Sequence, residues 1–295
     1  MCPCLLAFLF CMQPTQAEPI QIPNGSFEFP KTRFVSPQMD AWNKTPRPED
    51  YDETGGFFWN QLTGLFQNTA PGSSDHIDNC DRDQAVWLFA VPEVGLFQEA
   101  QRNTGGEGFQ TTFEVGRSYQ LTVGVMGGGG GMPEGSTLEL SLYYRDELTK
   151  AVVVASVSIT NSQAAFPNHT HLTDYAVSLP TVQPGDVHAG KPIGIRAMST
   201  VSPELQGGYW DLDNVRLEAT DQPPLRVHST LNGSNLVLSW NTRSGYSYHL
   251  RQSLDLRAWI DLGVPVIGDG EEISNSVSTD SSIHGFFRVV EDVNP

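Results

Sequence analysis

The chain has 295 residues, and its 34 acidic against 17 basic side chains give a formal net charge of −17. That balance argues against nucleic acid as a partner, since binding it rests on neutralising phosphates with Lys and Arg. It equally disfavours an anionic membrane surface, and the length suits one large β domain plus a small one.

Residues 1–17 read as a secretory signal peptide, which places the protein outside the cell or on its surface. Leu5-Leu6-Ala7-Phe8-Leu9-Phe10 forms an apolar core, and Thr15-Gln16-Ala17 offers small residues for cleavage before Glu18. No basic n-region precedes it, and the core is too short to span a bilayer. Three of the four cysteines fall in this segment, leaving Cys80 as a half-buried thiol with no disulfide partner in the same molecule.

Ile22-Pro23-Asn24-Gly25-Ser26-Phe27-Glu28-Phe29-Pro30 opens the large domain. After it, Pro37, Pro46 and Pro48 break regular structure while Trp42, Tyr51, Phe57, Phe58 and Trp59 punctuate it. The run reads as loops over one end of a sandwich, where binding residues gather. Trp42, Tyr51, Phe58 and Trp59 are the candidate ligand-binding residues, with Trp59 as a stacking surface and Trp42 equally readable as a core plug. The oxygen-rich stretch with Asp75, Asp78, Asp81 and Asp83 lacks EF-hand spacing and reads as a solvated acidic loop, with a second cation site as the alternative.

The strands then become legible. Ala85–Ala90 is a continuous apolar run suited to a strand buried on both faces; Gly95–Ala100 follows. Ser118–Val125 alternates cleanly, as does Thr137–Tyr144, and Ala151–Ile159 is Val-rich. The five glycines Gly127–Gly131 lack the Lys-Ser/Thr of a phosphate loop and read as a flexible connection, with a lid as the alternative. His169-Thr170-His171 presents two imidazoles without the further ligands that zinc needs. Leu172–Leu179 and Lys191–Ala197 are the next strands, and the absence of a helical period completes an all-β sandwich.

In the closing strand, Gly207 to Leu217, strict alternation places Tyr209, Asp211, Asp213, Val215 and Leu217 on one face. Val215 and Leu217 mark that face as inward, where two carboxylates are costly unless something pairs them. Asp221-Gln222-Pro223-Pro224 is a linker, and Leu225–Pro295 a second domain with Trp240 and Trp259 as its core tryptophans.

The Asn24–Glu28 and Asp213–Leu217 stretches together resemble the first and last strands of galactose-binding-like jelly rolls, the fold of many carbohydrate-binding modules. The tail resembles a small fibronectin-III-like module of secreted bacterial proteins. The resemblance implies a jelly-roll β-sandwich over 18–220, a linker at 221–224 and a smaller β-sandwich over 225–295. It also implies structural calcium at Glu28 and Asp213, though these acids are alternatively strand caps or partners of Arg33 or Arg216. The leading expectation is a secreted, non-catalytic carbohydrate-binding protein with carbohydrate or another extracellular ligand as its partner. A structural surface or matrix protein is one alternative. Another is an enzyme on the same jelly roll, carboxylate-based or like the calcium-binding cyclases of cyanobacterial indole alkaloids, with Asp211 or Asp213 as general acid in an aromatic pocket.

Overall fold

The computed structural model describes residues 17–100, 109, 111–221, 225–233, 235–243, 246–278 and 285–293. The leader read at the N-terminus therefore lies outside the described residues but for Ala17. The chain divides into two compact units, Met1–Gln222 and Pro223–Pro295.

Among the described residues, twelve strands build the first unit. They are β1 (Ala17–Ile20), β2 (Val35–Ser36), β3 (Asn43–Lys44), β4 (Thr63–Gln67), β5 (Gln84–Phe89) and β6 (Gly95–Glu99). There follow β7 (Arg117–Gly129), β8 (Thr137–Arg145), β9 (Ala151–Thr160), β10 (Thr173–Leu179), β11 (Gly194–Ser199) and β12 (Tyr209–Asp221). One sheet runs β10-β7-β12-β5-β4-β2, with β1 added to β12; the facing sheet runs β3-β6-β11-β8-β9. This is the all-β jelly-roll sandwich that the alternating runs predict.

The core lies between the sheets. On β7 the alternation buries Tyr119, Leu121, Val123 and Val125, and β8 answers with Leu138, Leu140 and Leu142. On β12 the parity changes midway: Trp210 and Leu212 enter the core, and so do Val215, Leu217 and Ala219. Asn214 adopts a left-handed φ of 53°, and the pairing of β12 with β7 shifts register between Asp213 and Arg216. One extra residue at a bulge reverses which side chains face inward. Asp211 and Asp213 therefore point away from the core, on the outer face of the sheet, and not inward as strict alternation implies.

The Asn24–Glu28 turn meets β12 at this bulge. The Gly25 carbonyl accepts a hydrogen bond from Val215 N at 2.8 Å. A Cβ on Gly25 would stand 2.6 Å from the Val215 carbonyl oxygen, so the close approach requires glycine. The glycine run is not a loose connection: β7 continues through Gly129, and only then does the chain turn.

The second unit contains β13 (Val227–Asn232), β14 (Asn235–Asn241), β15 (Tyr246–Ser253), β16 (Ile260–Asp261), β17 (Val266–Ile267), β18 (Glu272–Ser278) and β19 (Phe286–Val293). One sheet runs β13-β14-β18; the other joins β16, β17 and β19 to β15. Leu238, Trp240, Tyr248 and Leu250 form its core. Trp259 lies outside that cluster, half-buried, with the Arg288 guanidinium 4.1 Å from its ring centroid.

Candidate functional site

The outer face of the larger sheet is covered by a thin second apolar layer. Ala85 of β5 and Met126 of β7 pack there against Ile77 and Leu172. The loops carrying Ile77 and Leu172 are tied together by polar bonds. Asp78 N donates to the Thr170 carbonyl at 2.8 Å, and the Asn79 amide bonds both Leu172 N and the Leu172 carbonyl at 2.9 Å.

Beside this layer the sheet face opens into a cavity of about 420 Å³. Phe66, Trp87, Phe89 and Tyr209 supply aromatic walls, Gly127–Gly129 a bare floor, and Asp75, His169 and Asp211 the ionisable groups. Glycines make the room. Gly64 lies opposite Trp87 in the β4–β5 ladder, and any side chain at Gly64 would occupy the space of the indole. Likewise Cβ atoms at Gly128 and Gly129 would overlap the rings of His169 and Tyr209.

Asp211 stands at the base of this cavity, across the ladder from Met126 and Trp87. It is only 7 % exposed, and its Oδ1 has no hydrogen-bond partner among the described residues. Burial without compensation favours the neutral acid, and it pushes the Asp211 carboxyl up to about 8. The Tyr209 phenol is raised as well, first by burial and then by the charges of Asp211 and Asp75. The surroundings of Asp211 favour its protonated carboxylic acid, which faces an aromatic chamber.

Asp213, two residues on, lies in different surroundings. Its Oδ2 accepts from Asp81 N and its Oδ1 from Asn214 N, both at 2.6 Å. Burial raises its carboxyl to about 7 against those bonds. Glu28 is also buried, and its Oε1 accepts from Asp83 N and Gln84 N at 2.9 Å each. The 81–84 loop thus joins the two acids. Neither pairs with Arg33 or Arg216; Glu28 has Lys31 at 3.7 Å, and Arg216 pairs with Asp174 at 2.6 Å. Two buried carboxylates fit the hard oxygen donors that calcium prefers. No group of three or more His, Cys, Asp or Glu side chains gathers to hold a metal among the described residues. Main-chain oxygens would have to complete the shell. Cys80, beside Asp213, has its thiol pushed up by burial and then by that charge, the reverse of what a nucleophile needs.

The aromatic candidates upstream lie elsewhere. Trp59 is 6 % exposed, its indole N–H donating to the Thr45 carbonyl at 2.7 Å, and Tyr51 packs edge-on against it. Trp42 packs on Phe27 and donates to the Asn24 carbonyl at 3.0 Å, which is the core-plug arrangement. Phe58 is exposed, and none of the four lines the cavity. The acidic stretch disperses: Asp75 reaches the cavity mouth, Asp78 the Thr170 hydroxyl and His171, and Asp83 pairs with Lys31. His169 and His171 part company, His169 to the cavity and His171 to Asp78.

The jelly-roll unit that carries this cavity has counterparts among known proteins. The family model described as HpiC1 cyclase matches residues 18–218. The chain belongs to the HpiC1-like cyclase family. Among solved structures it is similar to a Stig cyclase, Fisc, from Fischerella sp. TAU, in complex with (3Z)-3-(1-methyl-2-pyrrolidinylidene)-3H-indole. The TM-score is 0.51 at 20% identity, covering 70% of this chain and 100% of that one. A cyclase from Fischerella sp. TAU in complex with 4-(1H-indol-3-yl)butan-2-one matches with a TM-score of 0.50, 20% identity and the same coverage. No curated protein matches the chain.

This membership corrects the leading expectation from the sequence. A cyclase model, not a carbohydrate-binding module, covers the jelly roll, and the carbohydrate ligand loses its support. The match ends at residue 218 and gives the tail no fibronectin-III assignment. The pair of end strands that carries the resemblance specifies the sandwich and not its chemistry. Among the described residues no helix is long and apolar enough to cross a membrane.

Proposed function

We propose that this protein is a ring-forming enzyme acting on a flat aromatic small molecule of the indole type, with Asp211 as its general acid. One observation carries the reading: a buried carboxyl oxygen without a partner, at the base of an aromatic cavity of about 420 Å³. That volume is in the range of small-molecule sites. A neutral carboxylic acid there has a proton to give, and its Oδ1 has no partner among the described residues.

The chemistry follows from the groups present. The faces of Trp87 and Tyr209 hold a planar ring and stabilise positive charge developing on it. Asp211 transfers its proton to a carbon–carbon double bond or a heteroatom of the substrate. The resulting cationic centre is attacked by a second π bond of the same molecule, forming the new ring bond. Loss of a proton from an adjacent carbon restores neutrality, so the product is an isomer of the substrate. A positioned acid contributes on the order of 10²–10⁴-fold to such a step.

Calcium belongs to the same proposal as a structural ion. Glu28 and Asp213 would hold it beneath the 81–84 loop, where it would supply positive charge against two buried carboxylates. It takes no part in the proton transfer.

The test uses 4-(1H-indol-3-yl)butan-2-one, the compound seen in a related cyclase. Its ketone exchanges α-hydrogens for deuterium when an acid and a base act together, and NMR in D₂O follows the exchange. The protein is expected to accelerate it, and Asp211→Asn to lose the acceleration while still binding the compound. Equal exchange by the Asn variant would remove Asp211 from the role.

A further inference from the structure

We propose that His169 is the proton acceptor that completes the reaction, receiving at Nε2 the proton lost from the substrate when ring closure ends. This rests on the reading of the cavity as the cyclase site and assigns the second half of its acid–base chemistry.

The geometry is specific. His169 lines the same cavity as Asp211, from the loop between β9 and β10. Its Nδ1 lies 3.2 Å from the Gly127 carbonyl oxygen. A carbonyl only accepts, so Nδ1 carries the hydrogen and Nε2 keeps the lone pair. The imidazole rests on Gly128, whose φ of +86° and missing side chain make its seat. Gly127 and Gly128 directly follow Met126, the cross-strand neighbour of Asp211. The anchor of the imidazole is therefore one or two residues along β7 from the residue facing the acid.

Both flanks of the histidine are fixed. Phe166 packs against Trp210, the neighbour of Asp211, with ring centroids 6.0 Å apart. On the other side Thr170 and Leu172 are bonded to Asp78 and Asn79. A base held by its neighbours on either side needs little reorganisation before it acts.

The two groups also differ in access to water. Asp211 is buried, whereas His169 is exposed. An exposed base passes its proton to solvent after each turnover, and the buried acid is reprotonated once product leaves. Per cycle Asp211 gives one proton, the substrate forms one carbon–carbon bond from a π pair, and His169 takes one proton. Nothing is oxidised or reduced. Asp75 is the rival acceptor, since it too lines the cavity. It is exposed and held by no hydrogen bond or ion pair among the described residues, so nothing aims it.

The experiment compares α-hydrogen exchange of 4-(1H-indol-3-yl)butan-2-one in D₂O across variants of the full chain, beside its Kd from tryptophan fluorescence. His169→Asn keeps an N–H to offer Gly127 but has no basic nitrogen. It is expected to lower exchange at least ~10²-fold with Kd within about threefold. In His169→Gly, added imidazole is expected to restore exchange, a response that a purely structural role cannot give. Exchange at the wild-type rate in His169→Asn overturns the proposal, as does failure of imidazole rescue, or loss of exchange in Asp75→Asn with His169→Asn intact. If Asp211→Asn also exchanges normally, the cyclase reading falls with it. If only His169→Asn does, that reading stands and this inference alone is lost.

Discussion

Asp211 and Asp213 stand two residues apart on the same buried strand, yet Asp213 accepts two main-chain N–H bonds at 2.6 Å while Oδ1 of Asp211 accepts none. The fold bonds both oxygens of Asp213, and leaves one oxygen of Asp211 unbonded among the described residues. An unpartnered buried polar group costs about 1–3 kcal/mol, a cost that structure alone gives no reason to retain.

Asp211→Asn is accordingly expected to keep or slightly raise the melting temperature while lowering exchange of the indolyl ketone by ~10²–10⁴-fold. Calorimetry and NMR on the same sample check both halves. A large drop in stability would make Asp211 a structural residue.

The same acid sets a pH dependence. In the folded protein Asp211 holds its proton up to about 8, well above the ordinary carboxylate value. A raised folded-state value means stability that is complete below the ordinary value and is lost as the pH rises through about 8. Between those limits the wild type should lose stability relative to Asp211→Asn, and exchange should fall above about 8. Tyr209, Asp75 and His169 line the same cavity, so the comparison with the Asn variant, made both with calcium and with chelator, isolates the Asp211 contribution. Parallel stability curves in wild type and variant would contradict it.

Calcium should raise the melting temperature of the wild type, and Asp213→Ala should both lower that temperature and remove the calcium response. The alanine leaves Asp81 N and Asn214 N without their acceptor, a loss of about 1–3 kcal/mol for each if buried. Thermal denaturation with calcium and with chelator reads both effects. An undiminished response in the variant would place any bound ion elsewhere.

Gly128→Ala tests the seat of the imidazole. The new Cβ would overlap the His169 ring, and the left-handed backbone disfavours any side chain by about 1–2 kcal/mol. The variant is expected to fold with reduced stability and to lose exchange as His169→Asn does. Retained exchange would show that the imidazole has room to move.

The sandwich was legible because alternation on β7 and β8 answers directly to burial. The bulge was not. A left-handed Asn214 leaves no trace in a hydrophobic pattern, and without it Asp211 and Asp213 read as facing the core. The cavity was hidden for a related reason. Trp87 and Phe89 sit in a strand whose other face, Val86 and Leu88, is core, so an apolar run conceals its two destinations. The readable signals were the glycines: Gly64 opposite Trp87, and Gly127–Gly129 beneath His169 and Tyr209, give up side chains where rings must lie. Trp59 drew attention by its aromatic neighbours, but it is the buried first residue of a 3₁₀ turn and its indole N–H is spent on Thr45.

The most direct measurement is a crystal structure of the protein soaked with 4-(1H-indol-3-yl)butan-2-one. The expected result is an indole lying between Trp87 and Tyr209, with the ketone oxygen within hydrogen-bond distance of Asp211. Density for the compound on the Trp42, Tyr51, Phe58 and Trp59 segment, or an empty cavity at saturating concentration, would contradict the assignment of this face as the active site.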